Sequence, residues 1–159
     1  MNDKIVKREF HLVFRLDKKM FAVDVSNVLE VLEKQDITEV PNAPEIVNGV
    51  LNFRGDILPV INTGKKFGNA NYNPTQKFVI IVLEINNGKK LVRIGAIADY
   101  VIDVIEISED DIKPVPEMGS CFNPAFLKGM YRKDNEFIML LNANEVFTDF
   151  EVNQIVDGE

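Results

Sequence analysis

The sequence predicts an all-β fold, arranged as a barrel or a sandwich. Three observations support this prediction. About nine short segments carry the apolar patterns of β-strands, little helical periodicity separates them, and Gly, Pro, Asn and Asp cluster between them. The chain has 159 residues, enough for one ordinary domain or for two very small lobes that share a core.

The first two strands are predicted to form a hairpin. Apolar residues alternate with more polar ones over Phe10–Leu16 and again over Phe21–Val25, which is the pattern of half-buried strands. Residues 17–19 turn the chain between them. Ser26 then resembles the cap of a short helical turn whose apolar residues, within 28–32, fall on one side.

The next two strands flank a corner that carries one arginine. Val50–Phe53 and Ile57–Ile61 are apolar runs of strand length, and Arg54-Gly55-Asp56 lies between them. Gly49, Gly55 and Pro59 restrict or permit particular backbone conformations around this corner. Arg54 is either an ordinary exposed turn residue or, because apolar surface surrounds a rigid guanidinium, an interface residue; the second interpretation is slightly favoured.

The middle of the chain contains the predicted centre of the core. Residues 62–68 read as a helical turn and 68–74 as a flexible, Asn-rich loop. Phe78–Ile85 is continuously apolar and should be buried on both faces. Asn86-Asn87-Gly88 then predicts a hairpin into Leu91–Ala98.

The last third is predicted to hold three more strands and a terminal helix. Val101–Ile107 is a strand, and residues 108–111 resemble a one-turn helix start. A final hairpin pairs 127–132 with 136–141. Helical spacing then begins at Asn142 and involves Val146, Phe147 and Phe150.

Composition excludes several classes of function. The net charge of −7, without a basic run, argues against nucleic-acid binding. The longest uncharged apolar run, 78–83, is too short to cross a bilayer, and the N-terminal residues lack a signal-peptide core. The single cysteine, Cys121, fits a reducing cytoplasm; it reads as a small, partly buried hydrophobe rather than a reactive thiol.

Residues for catalysis or metal binding are scarce. His11, the one histidine, should face away from the core at the surface or an edge, and with Cys121 it supplies two zinc ligands where about four are needed. No phosphate-binding loop or nucleophile elbow occurs. Glu106, Asp110 and Asp111 read as a helix start and a solvated face rather than an acid–base pair. We therefore predict no enzyme activity, no cofactor and no metal, and favour a binding module.

The sequence resembles the CheW family, the adaptors that couple chemoreceptors to the histidine kinase CheA in bacterial chemotaxis. The resemblance rests on Val-Pro-Asn-Ala-Pro at 40–44, Gly-Val-x-Asn-Phe-Arg-Gly-x-Ile-Leu-Pro-Val-Ile at 49–61 and Val-Asp-Val-Ser-Asn-Val-Leu-Glu-Val at 23–31. Further matches are Ile94-Gly95, Asp99 and Val101, and the segment 138–142. It extends in one register from about Phe10 to Phe147.

The resemblance implies two small five-stranded SH3-like β-barrels side by side, with a hydrophobic groove between them, short helices and a C-terminal helix. It implies a flexible segment 1–9, one domain over 10–150 made of two intertwined lobes, and a tail over 151–159. The implied partners are the regulatory domain of CheA and the cytoplasmic tip of methyl-accepting receptors, in a cytoplasmic protein recruited to membrane-associated arrays. The implied partner-binding residues are Val28, Glu30, Gly49, Arg54, Gly55, Gly95, Val101 and Val104.

In this family Arg54 is expected to anchor partner contact, the three valines to supply apolar contact and Glu30 a rim charge. The glycines could instead serve only close backbone packing, and for Gly95 the two interpretations are even. The chain departs from the family pattern at Asn62-Thr63-Gly64, Tyr100 and Asn142.

Three alternatives stay open at this stage. The chain could be a fragment of CheA or CheV, or an adaptor of another chemosensory pathway such as pilus or surface motility. It could be a β-barrel that binds a small ligand. An enzyme that uses carboxylates is the third alternative, although the sequence offers no organised site for one.

Overall fold

The structure, a computed structural model, describes residues 6–86, 88–116 and 124–147. Within them the chain forms ten strands and two one-turn α-helices. Three 3-10 turns lie at Val25–Asn27, Glu109–Asp111 and Pro124–Phe126. The strands and helices are β1 Arg8–Leu16, β2 Lys19–Asp24, β3 Val28–Glu33, β4 Val47–Phe53, β5 Asp56–Ile61, α1 Thr63–Lys66, β6 Val79–Asn86, β7 Leu91–Ala98, β8 Tyr100–Ser108, β9 Leu127–Lys133, β10 Glu136–Leu141 and α2 Ala143–Val146.

The strands form two five-stranded sheets. Sheet A has the order β8-β1-β2-β10-β9, and sheet B has the order β3-β6-β7-β5-β4. Neighbouring strands are antiparallel except for one parallel pair in each sheet, β2 with β10 and β5 with β7. The predicted all-β architecture of two five-stranded lobes is confirmed.

The two faces of strand β1 are buried in two different cores. Leu12 and Phe14 belong to the larger core, to which strands of both sheets contribute. Val13 points to the opposite face by strand alternation and belongs to a smaller core with Ile107 and Ile138. Strand β6, the predicted centre of the structure, lies in the larger core, where Ile80–Leu83 are almost completely buried.

Two expectations about β1 were wrong. His11 was predicted at the surface, but it is 1% exposed, because the smaller core covers the face that it shares with Val13. Phe10 was assigned to the buried face, but it is 54% exposed. It lies near the outer end of the strand, where the larger core no longer covers that face.

The helical turn predicted after Ser26 was also wrong. Asp24, not Ser26, caps the short 3-10 turn, since its Oδ1 accepts a hydrogen bond of 2.9 Å from the Ser26 amide. Val28 then starts strand β3, which pairs antiparallel with β6. The edge of β6 that β3 covers supplies backbone hydrogen bonds, and β-branched Val28 and Val31 favour strand over helix.

The Asn-rich loop is anchored rather than flexible. Tyr72 is buried, and its hydroxyl donates a hydrogen bond to the Asp99 carboxylate. Asn69 Nδ2 donates to Asp17 Oδ2 at 2.9 Å. Burial and the contact with Asp99 raise the pKa of Tyr72 well above its ordinary value, so the hydroxyl keeps its proton. The loop thereby connects the segment after β5 to the β7–β8 junction.

Each short helix begins after an asparagine, but only Asn62 caps its helix with a side-chain hydrogen bond. Asn62 Oδ1 accepts from the Lys65 amide at 3.0 Å and begins α1. Helix α2 begins after Asn142, with Val146 and Phe147 buried. Residues 109–111 form a 3-10 turn rather than an α-helix start. The predictions for Cys121 and Phe150 lie outside the described residues, and no helix within the described ranges is long and apolar enough to span a membrane.

Candidate partner-binding surfaces

The Arg54 corner is a two-residue hairpin turn between β4 and β5. Phe53 and Asp56 pair across it, and both central residues have positive φ, +54° at Arg54 and +86° at Gly55. This is the geometry that matches the twist of a two-residue hairpin. Asn52 Oδ1 accepts a hydrogen bond of 2.9 Å from the Gly55 amide. The turn is therefore held by its own strand ends.

Two contacts fix the Arg54 guanidinium. Its Nη2 donates to Glu30 Oε1 at 2.9 Å, and its Cζ lies 4.7 Å from the centre of the Phe53 ring. The side chains of Arg54 and Glu30 are 56% and 42% exposed, so more than half of the Arg54 side chain still faces solvent. Glu30 is thus the direct partner of Arg54 rather than a separate rim charge.

The Arg54–Glu30 pair joins the two edge strands of sheet B. Glu30 lies on β3, and Arg54 follows β4, at opposite ends of the strand order. A backbone bridge supports the same approach, because Thr38 and Val50 exchange two hydrogen bonds of 2.9 Å. The corner therefore rests on a connected backbone and not on one hairpin alone.

Gly49 and Gly95 are buried and leave no room for a side chain. A Cβ at Gly49, whose φ is +146°, would lie 2.2 Å from the Thr38 carbonyl oxygen. A Cβ at Gly95 would lie 2.7 Å from Ile80 Cγ2. Gly55 differs, since nothing lies within 4 Å of its added Cβ. Close backbone packing accounts for the first two glycines, and their role in partner contact stays a prediction.

The three predicted valines lie on two sheets. Val28, on β3, and Val101, on β8, are partly buried and pack against the larger core. Val104, also on β8, is 47% exposed and lies opposite Leu12 of β1. Phe10 lies on the same face of β1 as Leu12, so it extends the apolar surface next to Val104. We call Phe10, Val101 and Val104 the β8 apolar strip.

A cleft of about 590 Å³ lies where β1 and β2 meet the segment around α1. Its apolar lining includes Leu16, Phe21 and Met139 of sheet A, together with Phe67 and Phe126. None of the eight predicted partner-binding residues lines this cleft. The cleft is thus an apolar concavity that is separate from both the β8 apolar strip and the Arg54 corner.

The structure brings some predicted residues together and separates others. Glu30, Arg54 and Gly55 form one corner on sheet B, whereas Val101 and Val104 lie on sheet A. Sequence reasoning missed Phe10 as a surface residue and Phe53 as the ring beneath Arg54. For Phe53, the available signal was its position directly before Arg54 at a predicted turn. No sequence signal marked Phe10 as exposed.

Comparison with known proteins gives one consistent family. The CheW-like domain model matches residues 11–151. The chemotaxis protein CheW of Rhizobium meliloti is 31% identical over 140 residues, which cover 88% of each chain. The protein FrzA of Myxococcus xanthus is 30% identical over 136 residues, covering 84% of this chain and 81% of FrzA.

A solved structure agrees with these sequence matches. The scaffolding protein TtCheW from Thermoanaerobacter tengcongensis superposes with a TM-score of 0.78 at 29% identity, and the alignment covers 95% of each chain. Fold and sequence thus agree over nearly the whole length of this chain. The chain belongs to the CheW-like domain family.

Proposed function

We propose that this protein is a non-catalytic adaptor that couples the cytoplasmic tips of chemoreceptors to the histidine kinase CheA. The observation that carries the proposal is the family match over residues 11–151, in a chain whose Arg54 corner is both exposed and held in place. The proposal includes one domain that contains the predicted residues 10–150 and whose first strand already begins at Arg8. It places the protein in the cytoplasm, at receptor arrays.

The Arg54 corner has the properties of an interface anchor. Its guanidinium is oriented by Glu30 and Phe53 before any partner arrives, so binding would immobilise little further side-chain freedom. Arginine is enriched among residues that dominate interface energies. The planar donor fork can donate hydrogen bonds to a further carboxylate of a partner, for example one on the regulatory domain of the kinase.

The β8 apolar strip has the properties of a receptor contact. Phe10 and Val104 are exposed apolar side chains on neighbouring strands of one sheet, and partly buried Val101 continues toward the core. Such a surface accepts the apolar face of an amphipathic helix.

The adaptor would act by holding receptor and kinase in a fixed geometry. A receptor changes the activity of the kinase only if the assembly binds the two kinase states with different affinity. Two stiff β-sheets that share one large core suit this task, because a displacement at one surface is not absorbed within the body.

A second candidate is the same adaptor role in another chemosensory pathway. The similarity to FrzA, a family relative that carries a different name from the chemotaxis proteins, is the observation that favours it. Both candidates need the same two binding surfaces and differ in the receptor and kinase that they serve. Binding assays with the receptor–kinase pair of each pathway separate them.

Co-sedimentation with receptor-containing membranes tests the proposal. The protein is mixed with membranes that contain receptors, with and without CheA, and the pelleted fraction of each component is measured. We expect the protein to pellet with receptors alone and to increase the amount of pelleted kinase. A protein that stays in the supernatant under both conditions, while a relative such as TtCheW pellets, would contradict the proposal.

A further inference from the structure

A cluster of three potential metal ligands lies in sheet A, away from both candidate partner surfaces. One ring nitrogen of His11 and one carboxylate oxygen each of Glu9 and Asp24 all lie within 4.8 Å of one another. Glu9 and His11 lie two residues apart on β1, and Asp24 pairs with His11 across to β2. Strand alternation therefore places the three side chains on one face of the sheet.

His11 is the unusual member of this cluster. It is 1% exposed, and its Nδ1 lies 3.1 Å from the Glu9 carbonyl oxygen, which sets Nδ1–H as the donor. Nε2 then carries the lone pair, and it is buried without a hydrogen-bond partner among the described residues. An imidazole whose Nδ1–H is fixed by a backbone carbonyl is the arrangement found in metal-bound histidines.

The charges around the cluster also favour a cation. Two carboxylates this close need a proton or a positive charge between them.

Two lysines supply that positive charge in this structure. Lys7 Nζ lies 2.8 Å from Glu9 Oε1, and Lys128 Nζ lies 4.0 Å from Asp24 Oδ2. Both side chains extend from the surface on flexible stems and can swing away. A cavity of about 420 Å³, lined by Lys7, Glu9, His11 and Lys128 among others, gives solvent and ions access to the cluster.

We propose that Glu9, His11 and Asp24 form a binding site for a first-row divalent cation of the Zn²⁺ class. One imidazole and two carboxylates match the mixed nitrogen and oxygen ligands that such ions accept, with water in the remaining position. The three ligand atoms now lie within 4.8 Å of one another. Tetrahedral bonds of about 2.0–2.1 Å to one ion require them to move somewhat closer together. The ion would cross-link β1 to β2 and displace Lys7 and Lys128.

The site is independent of the adaptor role. None of its ligands belongs to the Arg54 corner or to the β8 apolar strip, although Phe10 of that strip lies between Glu9 and His11 in sequence. By strand alternation Phe10 points to the opposite face of β1. A bound ion would therefore act on the stability of the β1–β2 hairpin and not as a contact with a partner.

Metal titration of the full chain tests the site. The Cys121→Ser background removes the one thiol, and isothermal titration with ZnCl₂ at neutral pH follows removal of bound metal with a chelator. We expect one ion per chain and a thermal midpoint that rises with zinc concentration, because only the folded state brings the three ligands together. Co²⁺ in place of Zn²⁺ should give the visible absorption of a low-coordinate site.

Matched variants locate the site. Glu9→Gln should weaken zinc binding about tenfold or more, since losing a ligand should cost at least as much as losing an outer-shell group. Glu33→Gln, an exposed carboxylate on β3, should leave the affinity unchanged. Lys128→Ala should tighten binding several-fold, because it removes the competing charge. His11→Gln should abolish binding, but Glu9→Gln decides the matter if that buried substitution impairs folding.

Two results would overturn the site. The first is a folded wild-type chain that shows no saturable zinc binding and no shift of its thermal midpoint. The second is equal zinc affinity in the Glu9→Gln and Glu33→Gln variants, which would assign the binding to other surface groups.

Discussion

The β4–β5 and β9–β10 hairpins turn the chain in similar ways but present their arginines differently. Each has a two-residue turn, flanked by Phe53 and Asp56 in the first and by Lys133 and Glu136 in the second. The first turn residue has positive φ in both, +54° at Arg54 and +57° at Asp134.

The difference lies in what supports each tip. Arg54 is tied to Glu30 on another strand and lies over the buried Phe53 ring. Arg132 donates from Nε to the Asp134 carbonyl at 3.2 Å, within its own turn, and Phe137 on the following strand is exposed. A two-residue turn alone therefore does not predict a binding site; support from a second strand distinguishes the Arg54 corner, and Arg132 is its natural control.

The largest expected effect comes from breaking the support of the β4–β5 hairpin at Gly49. Gly49→Ala should destabilise the fold by about 3 kcal/mol or more, since its Cβ would lie 2.2 Å from the Thr38 carbonyl oxygen at a φ that side chains rarely adopt. Gly55→Ala, which meets only the backbone penalty, should cost about 1–2 kcal/mol. Urea unfolding measures both, and equal losses would contradict the close-approach argument.

A smaller effect should come from the β8 apolar strip. Val104→Ala should weaken receptor binding by about 1 kcal/mol with a change in stability below about 0.5 kcal/mol, because the side chain is 47% exposed. Val28→Ala should lower both receptor binding and the stability of the fold, since Val28 also packs on the larger core. Val40→Ala, an exposed valine outside the strip, is the control for membrane co-sedimentation. Equal binding by the Val104 and Val40 variants would remove the strip from the receptor surface.

The two hairpins belong to different sheets, and Tyr72 bonds to Asp99 at the β7–β8 junction, where the chain passes from sheet B to sheet A. Tyr72→Phe removes the hydrogen bond to Asp99 and should cost about 1 kcal/mol at neutral pH. The folded-state pKa of Tyr72 is raised, so its contribution is complete below the ordinary tyrosine value of about 10 and is lost as the pH rises above it.

At alkaline pH the prediction concerns the difference in stability between the wild type and Tyr72→Phe. Denaturant unfolding across the alkaline range should show a steeper loss of stability in the wild type than in Tyr72→Phe. Parallel curves would mean that the Tyr72 hydroxyl titrates alike in the folded and unfolded chains.

The smallest expected effect is on stability at Arg54 itself. Arg54→Ala should change the free energy of unfolding by less than about 1 kcal/mol, because its ion pair with Glu30 is exposed on both sides. Thermal unfolding of the wild type, Arg54→Ala and Arg132→Ala under the same conditions measures this change in stability. A large loss for Arg54→Ala alone would make Arg54 a structural residue and would weaken its assignment to partner contact.

Most of the fold was predictable because local patterns carried it. The apolar run that became β6 and the turn residues after it determined the β6–β7 hairpin, and Asn62 marked the start of α1. Strand β3 was missed because the spacing of Val28, Leu29 and Leu32 also fits one side of a helix. Pairing with β6, about fifty residues later in the chain, decides between the two.

The candidate site was less predictable, because its contacts join residues that are distant in sequence. The tip with Arg54 followed from local turn chemistry, but its partner Glu30 lies 24 residues earlier and on another strand. His11 was misplaced for a related reason. Alternation along β1 gives its face correctly, but only the packing of the smaller core shows that this face is buried as well.

The most direct test of the account is calorimetric titration of the CheA regulatory domain into three proteins: the wild type, Arg54→Ala and Arg132→Ala. We expect Arg54→Ala to weaken binding by about 2 kcal/mol while it stays folded, and Arg132→Ala to bind like the wild type. Unchanged affinity in a folded Arg54→Ala variant, or equal losses in both variants, would contradict the assignment of the Arg54 corner to kinase contact.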